Sequence, residues 1–593
     1  MKFSFPSFTQ WRSGVIAAVT RFPWNILCGA TGAACAIISI HTEHNEWLDG
    51  QCARLAMAAA LGMPLFFSLR MLRERIQKLA RWPIEIVGVP LLALWFVAQP
   101  PRPSDAPTIV IIRWLLLLAA LHFFAGVAAY VRSNERLGFW QFNRRLFLRF
   151  CLATLYTGVL TVGLELALLS ADKLFDLKLS KAYGDLFFLM MGLFHPAFFL
   201  AGVPRDLTAL DADPEYPRGL KAFTQFALAP LVAVYTVILY AYAVKIIATW
   251  SWPHGWVALP VLLLSGIGIL AFLLLYPLRE REEEKWARWF TTNFPRALAP
   301  LTLLLLFSLH VRISEYGVTE QRYLGVVLGI WILVWALVFI IRKQTGIRWV
   351  PASLAVICLL SAFGPWSAGA ISKVSQLRRV GRMLQAHALW KDNHAERPSH
   401  NIDLSKKDET DLRTTLVYLV QTHGGATLRR IFEPVLIGRD WEKLIAWDAA
   451  RDIINNLRIT NHNYELPPAL PSAARETAGA LNIEGFRTMC RVDLYEYATS
   501  EWRSLTCNGV AIGLDDGVLK LAAKGETTPQ PVPLNDMLTE LPSTQTKGLP
   551  DEKLTVNFQR GTHVFRIVFD SISFRRESQG SRVITCQFYL MEK

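Results

Sequence analysis

Residues 312–323 read R-I-S-E-Y-G-V-T-E-Q-R-Y, a polar stretch with two arginines, two glutamates and two tyrosines set between two long apolar runs. The run before it, about Ala297 to Val311, and the run after it, about Tyr323 to Ile341, both read as membrane crossings. The connector therefore sits where a membrane ends, with its charges beside low-dielectric hydrocarbon, a costly place for an unpaired ion. Two crossings joined by a charged boundary segment define the class: a polytopic α-helical membrane bundle.

Composition agrees. The chain has 593 residues, 52% of them hydrophobic, with 20 Trp and 34 Phe, too apolar for a soluble protein of this length. Its net charge of +14 is unevenly placed, because from Glu396 onward there are 24 Lys and Arg against 26 Asp and Glu. The basic surplus lies wholly in the membrane half, as cytoplasmic loops require, which argues against a nucleic-acid partner. Cys28, Cys35, Cys52, Cys151 and Cys358 fall in or beside apolar runs and read as packing residues, whereas two of Cys490, Cys507 and Cys586 could pair if the C-terminal region is periplasmic. No cleavable signal peptide is expected.

Taken in order, residues 1–22 form an amphipathic lead-in on the cytoplasmic face, and residues 23–370 hold about eleven transmembrane helices. Basic segments at Arg70–Arg81 and Arg132–Arg149 separate some of them, and the charged, aromatic run at 279–290 reads as an interfacial helix. Trp250, Trp252 and Trp256 bracket a turn suited to the interfacial aromatic belt. Loops on the N-terminal side carry about 24 Lys and Arg against about 7 on the other, which puts the N-terminus in the cytoplasm and everything after Ala370 in the periplasm of a bacterial inner membrane. Lys373, Arg378, Arg379 and Arg382, directly after the last crossing, are the one contrary signal.

Residues 371–401 read as an amphipathic helix and a polar linker, with Ile371, Val374, Leu377, Val380 and Leu384 at helical spacing. Residues 402–593 read as a soluble α+β domain. Ser405 with Asp408 resembles a capping box for a helix ending at Gly424-Gly425, and a second helix is expected at about Trp441–Leu457. Strands are expected at Phe486–Tyr497, Val518–Ala522, Leu554–Phe558, Val564–Phe569 and Val583–Leu590.

The pattern R-I-x-x-Y-G-x-T-E-x-R-Y followed by an apolar run resembles the bacterial polytopic membrane proteins grouped as domain of unknown function 4153. Phe194-His195-Pro196 running on to Val203-Pro204, the P-L-V-x-V-Y-x-x-I-L-Y-A-Y pattern between Phe226 and Tyr242, and Gly364-Pro365 extend the resemblance over roughly residues 140–390. It implies a bacterial inner-membrane protein and carries over no substrate, cofactor or catalytic residue.

No P-loop, G-x-S-x-G, H-E-x-x-H or paired C-x-x-C motif occurs, and no cofactor or metal is expected. The H-T-E-H-N-E segment at 41–46 reads as a solvated acidic loop rather than a zinc site. Oriented by the positive-inside rule, Arg113, Glu165, Lys245 and Arg312 all fall in the outer leaflet, with Glu315, Tyr316, Glu320, Arg322 and Tyr323 above them. Snorkelling and interhelical ion pairs would account for such residues, and so would a polar pocket for a lipid headgroup or envelope component. His122, His195 and His310 read as packing residues.

Three functions follow. One is a non-enzymatic membrane protein that binds or senses an envelope protein or lipid headgroup through its periplasmic domain, coupled to the outer polar layer. A transporter or lipid-handling protein would need Glu165 and Arg312 to face one continuous cavity. An enzyme on a lipid-linked substrate would need Glu165 as acid or base, with Arg113, Lys245 or Arg312 on a phosphate.

Overall fold

The computed structural model describes residues 8–593 except 43–44, 77–80, 104–105, 134, 178, 213–214, 250–257, 343–344, 437, 439, 443, 460–471, 476–485, 487, 496–504, 508–509, 516–517, 524–528, 542–545, 561–562 and 578–579. The Trp250–Trp256 turn and the loop at 463–471 lie outside the described residues, as do Glu43 and His44 of the acidic loop. By contact the chain divides into two units, one of residues 1–403 and 410–459, the other of residues 404–409 and 460–593.

The first unit is helical. Its helices are α1 (Phe8–Arg21), α2 (Pro23–His41), α3 (Glu46–Arg75), α4 (Gly88–Ala98), α5 (Thr108–Ala128), α6 (Arg136–Phe175), α7 (Ala182–Ala201), α8 (Arg218–Thr249), α9 (Ala258–Leu275), α10 (Lys285–Tyr316), α11 (Glu320–Ile341), α12 (Trp349–Ala362) and α13 (Ala368–Ala386). Among the described residues nine helices are long and apolar enough to cross a membrane, and the segments at Ile84–Ala98 and Trp349–Ala362 are shorter apolar helices. This is a multi-pass membrane protein.

Two sequence expectations merge. The basic segment from Arg136 to Arg149 and the crossing after it form the single 40-residue helix α6, and the second half of the charged run at 279–290, from Lys285, is the first turns of α10 rather than a separate interfacial helix. Arginine, lysine and glutamate are good helix formers, so a change of polarity along the chain need not end a helix. Pro295 and Pro300 lie inside α10 without breaking it.

Helices approach closely where side chains are small. A Cβ on Gly29 of α2 would lie 2.0 Å from the carbonyl oxygen of Gly192 in α7, so only glycine fits that crossing. Elsewhere the bundle is held by aromatic packing: Phe272 of α9 meets Trp335 of α11 edge-on at 5.0 Å and Phe339 at 4.6 Å.

Beyond α13 a two-residue hairpin pairs β1 (Trp390–Lys391) with β2 (His394–Ala395). Then come α14 (Lys406–His423), α15 (Arg429–Phe432) and α16 (Ala446–Asn456). Ser405 caps α14: its Oγ accepts from the Asp408 amide at 3.1 Å and donates to the Asp408 carboxylate. Gly424, at φ 83°, ends it. Residues 410–459 group with the membrane helices and not with the sheets that follow, whereas the sequence reading starts the C-terminal domain at residue 402.

The second unit carries β3 (Ser472–Arg475), β4 (Thr488–Tyr495), β5 (Leu505–Cys507), β6 (Val510–Asp515), β7 (Val518–Ala522), β8 (Gln530–Pro531), β9 (Thr546–Leu549), β10 (Thr555–Arg560), β11 (His563–Glu577) and β12 (Gly580–Glu592). One sheet runs β4-β12-β11-β3-β9, with β10 also pairing with β11, and a second runs β5-β6-β7-β8. In β11 the side chains of Phe565, Ile567 and Phe569 are buried, then Ile572 and Phe574. The switch from odd to even follows from a bulge between Phe569 and Ser571, which keeps the apolar face inward as the register slips by one. Cys490 is disulfide-bonded, whereas Cys586 is free and buried.

Candidate functional site

Most of the polar connector is helical. Arg312, Glu315 and Tyr316 form the last turn of α10, while Glu320, Arg322 and Tyr323 form the first turn of α11; only Gly317 to Thr319 lie between. Gly317 makes the turn possible. Its φ of 74° is a conformation that side chains rarely adopt, its amide donates to the Ile313 carbonyl at 2.9 Å, and an added Cβ would lie 2.9 Å from Gln376 Nε2.

Helix α13 lies against this turn and satisfies its backbone. Gln376 Nε2 donates to the Tyr316 and Val318 carbonyls, both at 3.0 Å, and the Val318 amide donates to Ser375 Oγ at 2.8 Å. The Arg322 guanidinium donates to the Gly317 carbonyl at 2.7 Å, and the Tyr323 hydroxyl to the Trp366 carbonyl at 2.7 Å. Arg322 and Arg379 both approach the Tyr316 ring, each 5.6 Å from its centroid, and Glu315 lies beside the Tyr316 hydroxyl.

At the centre is Glu320, only 4% exposed. Its carboxylate accepts from Ser372 Oγ of α13, accepts from the Tyr418 hydroxyl of α14 at 2.5 Å, and lies 3.2 Å from His423 Nε2 at the end of α14. His423 is buried as deeply, and its Nε2 is 3.4 Å from Ser372 Oγ. Burial, and then the neighbouring carboxylate, push the Tyr418 phenol well above the usual tyrosine range, so it stays a donor. A second strut ties the same helices: Arg379 pairs with Asp411 at 3.2 Å and donates to Thr415 Oγ1 at 3.0 Å.

The polar layer read from sequence therefore divides. Arg312, Glu315, Tyr316, Glu320 and Arg322 come together around the turn. Arg113 lies over the Phe363 ring at 5.8 Å, Glu165 is half-buried on α6 and Lys245 is exposed on α8. No hydrogen bond or ion pair among the described residues joins these three to one another or to Arg312.

Ser372, Tyr418 and His423 have no sequence signal that points to Glu320; Tyr418 is 98 residues away along the chain. His122 bonds within its own helix to the Leu118 carbonyl at 2.8 Å, His195 bonds across to Thr154 Oγ1 of α6 at 3.2 Å, and His41 pairs with Asp185 at 2.9 Å. Among the described residues no group of three or more His, Cys, Asp or Glu is placed to hold a metal.

The arrangement defines a class: a multi-pass membrane protein in which a buried carboxylate at a helix start is held by helices that follow the last apolar segment. The chain belongs to the family grouped as domain of unknown function 4153, whose pattern matches residues 28–389. It is similar to an uncharacterized protein of Pasteurella multocida (strain Pm70), 27% identical over 302 residues that cover 50% of this chain and 49% of that protein. The matched region thus spans about half the length of that relative. No solved structure matches.

Proposed function

We propose that this chain is an integral inner-membrane protein of about eleven crossings that binds or senses an envelope component, with its N-terminus in the cytoplasm and the residues after Ala370 in the periplasm. In this reading the Glu320 joint couples the membrane helices to the region that receives the signal. The observation that carries it is the buried Glu320 carboxylate, gripped by Ser372, Tyr418 and His423 from two later helices. Buried ionic groups are a poor route to stability, since well-packed apolar residues of similar volume usually do as well. Their best-attested use is to fix one arrangement or to switch between two. The bonded Cys490 adds support, because a structural disulfide suits an oxidising compartment.

The test replaces the joint as a whole. Glu320→Met, Tyr418→Phe and His423→Phe together remove the polar set at nearly constant volume. The triple variant is expected at normal abundance in membranes but unable to complement a deletion strain under envelope stress. Full complementation would reduce the joint to packing. Sidedness is tested separately with a membrane-impermeant thiol reagent, after reduction, in cells whose outer membrane alone is permeabilised. Labelling of Cys490 is expected, and labelling only after the inner membrane is opened would reverse the topology.

A further inference from the structure

Helix α13 has a second face that the joint does not use. Ser372, Gln376, Val380 and Leu384 are buried, whereas Ile371, Val374, Arg378 and Arg382 are exposed along the opposite side at helical spacing. This outer face forms one wall of an open groove of about 1080 Å³. Trp390 of the hairpin and Arg430 with Ile431 of α15 form the other wall, and Val318 and Pro365 also line it.

The charge in this groove is one-sided. Its lining holds Arg378, Arg382 and Arg430 and no aspartate or glutamate. None of the three arginines makes a hydrogen bond or ion pair among the described residues, although Arg379 and Arg429, their neighbours in sequence, are each paired with a carboxylate. Two helices thus turn their partnerless cations into the same space. The groove is also graded in polarity: Pro365, Ala370, Ile371 and Val374 line the part beside the end of apolar α12, and the arginines follow along α13.

We propose that this groove binds the phosphate-bearing headgroup of an anionic membrane lipid, with the phosphate among Arg378, Arg382 and Arg430 and the acyl chains along Ile371 and Val374. Guanidinium groups match phosphate oxygens in pairs, and the polarity gradient matches an amphiphile rather than a free anion. The basic run after the last apolar helix, which argues against a periplasmic location when read as a loop, is then a ligand site on whichever side it lies. This site stands apart from the Glu320 joint, and its failure would leave that reading intact.

The test uses the full chain purified in neutral detergent and stripped of lipid, titrated with phosphatidylglycerol, phosphatidylcholine or inorganic phosphate and followed by native mass spectrometry. Phosphatidylglycerol is expected to bind in preference to phosphatidylcholine. A juxtamembrane cation near anionic lipid contributes on the order of 1 kcal/mol, about fivefold in affinity, so Arg430→Gln should weaken binding about fivefold and Arg378→Gln with Arg382→Gln about 25-fold. Arg429→Gln removes the same charge from a residue outside the groove and should leave binding unchanged. Equal weakening by Arg429→Gln would show diffuse attraction and overturn the site. Inorganic phosphate that competes at equal concentration would overturn the lipid assignment. Should the double variant unfold, Arg430→Gln, from a different helix, decides alone.

Discussion

On one face of helix α13, Ser372 and Gln376 are buried with their polar atoms engaged; on the other, less than two turns away, Arg378 and Arg382 are exposed and make no hydrogen bond or ion pair among the described residues. The two faces belong to one amphipathic helix whose hydrophobic repeat is the same all along. What separates them is satisfaction. A polar group whose partners are all supplied from within the chain holds the structure together, and one left without partners is available to something outside it.

This contrast orders the expected effects of substitution, all measured as unfolding free energy in detergent. Glu320→Ala leaves Ser372, Tyr418 and His423 buried without their acceptor and should cost about 3–5 kcal/mol; a loss under about 1 kcal/mol would mean that water reaches the joint. Tyr418→Phe removes one hydrogen bond to a charged group and should cost about 1.5–3 kcal/mol.

That second penalty should be constant between about pH 6 and 9. The phenol's pKa is raised by folding, so its contribution is complete below the unfolded value near 10 and is lost only as pH rises beyond it. A penalty that grows or shrinks across neutral pH would show that another group of the joint titrates with it.

Gly317→Ala forces a side chain into a left-handed turn against Gln376 and should cost about 1–2 kcal/mol. Arg378→Gln with Arg382→Gln removes no hydrogen bond or ion pair among the described residues and should change stability by less than about 0.5 kcal/mol. A large effect there would erase the difference between the two faces.

The sequence made the apolar helices and the strands legible because both announce themselves by local periodicity. Val518–Ala522 forms a strand with the expected bounds, and the Ser405 cap is where its spacing puts it. The connector at 312–323 was legible as a boundary, but its helical state was not: polar residues flanking one glycine look like a loop, and only the Gly317 turn breaks the helix. Glu320, Arg312 and Arg322 stood out by charge. Tyr418, Ser372 and His423 did not, because their meaning depends on a partner dozens of residues away. Charge alone also gathered Arg113, Glu165 and Lys245 into the same layer by depth, without any means of telling which helix faces are adjacent.

The bulge between Phe569 and Ser571 reaches beyond packing, to how this strand can change over generations. On either side of it the alternation of inward and outward residues runs in opposite phase, so the strand already holds one extra residue absorbed without damage. Loss of Asp570 would put the two halves back in a single phase with Phe565, Ile567, Phe569, Ile572 and Phe574 all still on the inner face, so the bulge would no longer be needed. A loss of one residue is therefore an open route at the bulge, whereas a change of length by one inside either flanking half would turn the residues beyond it to the other face.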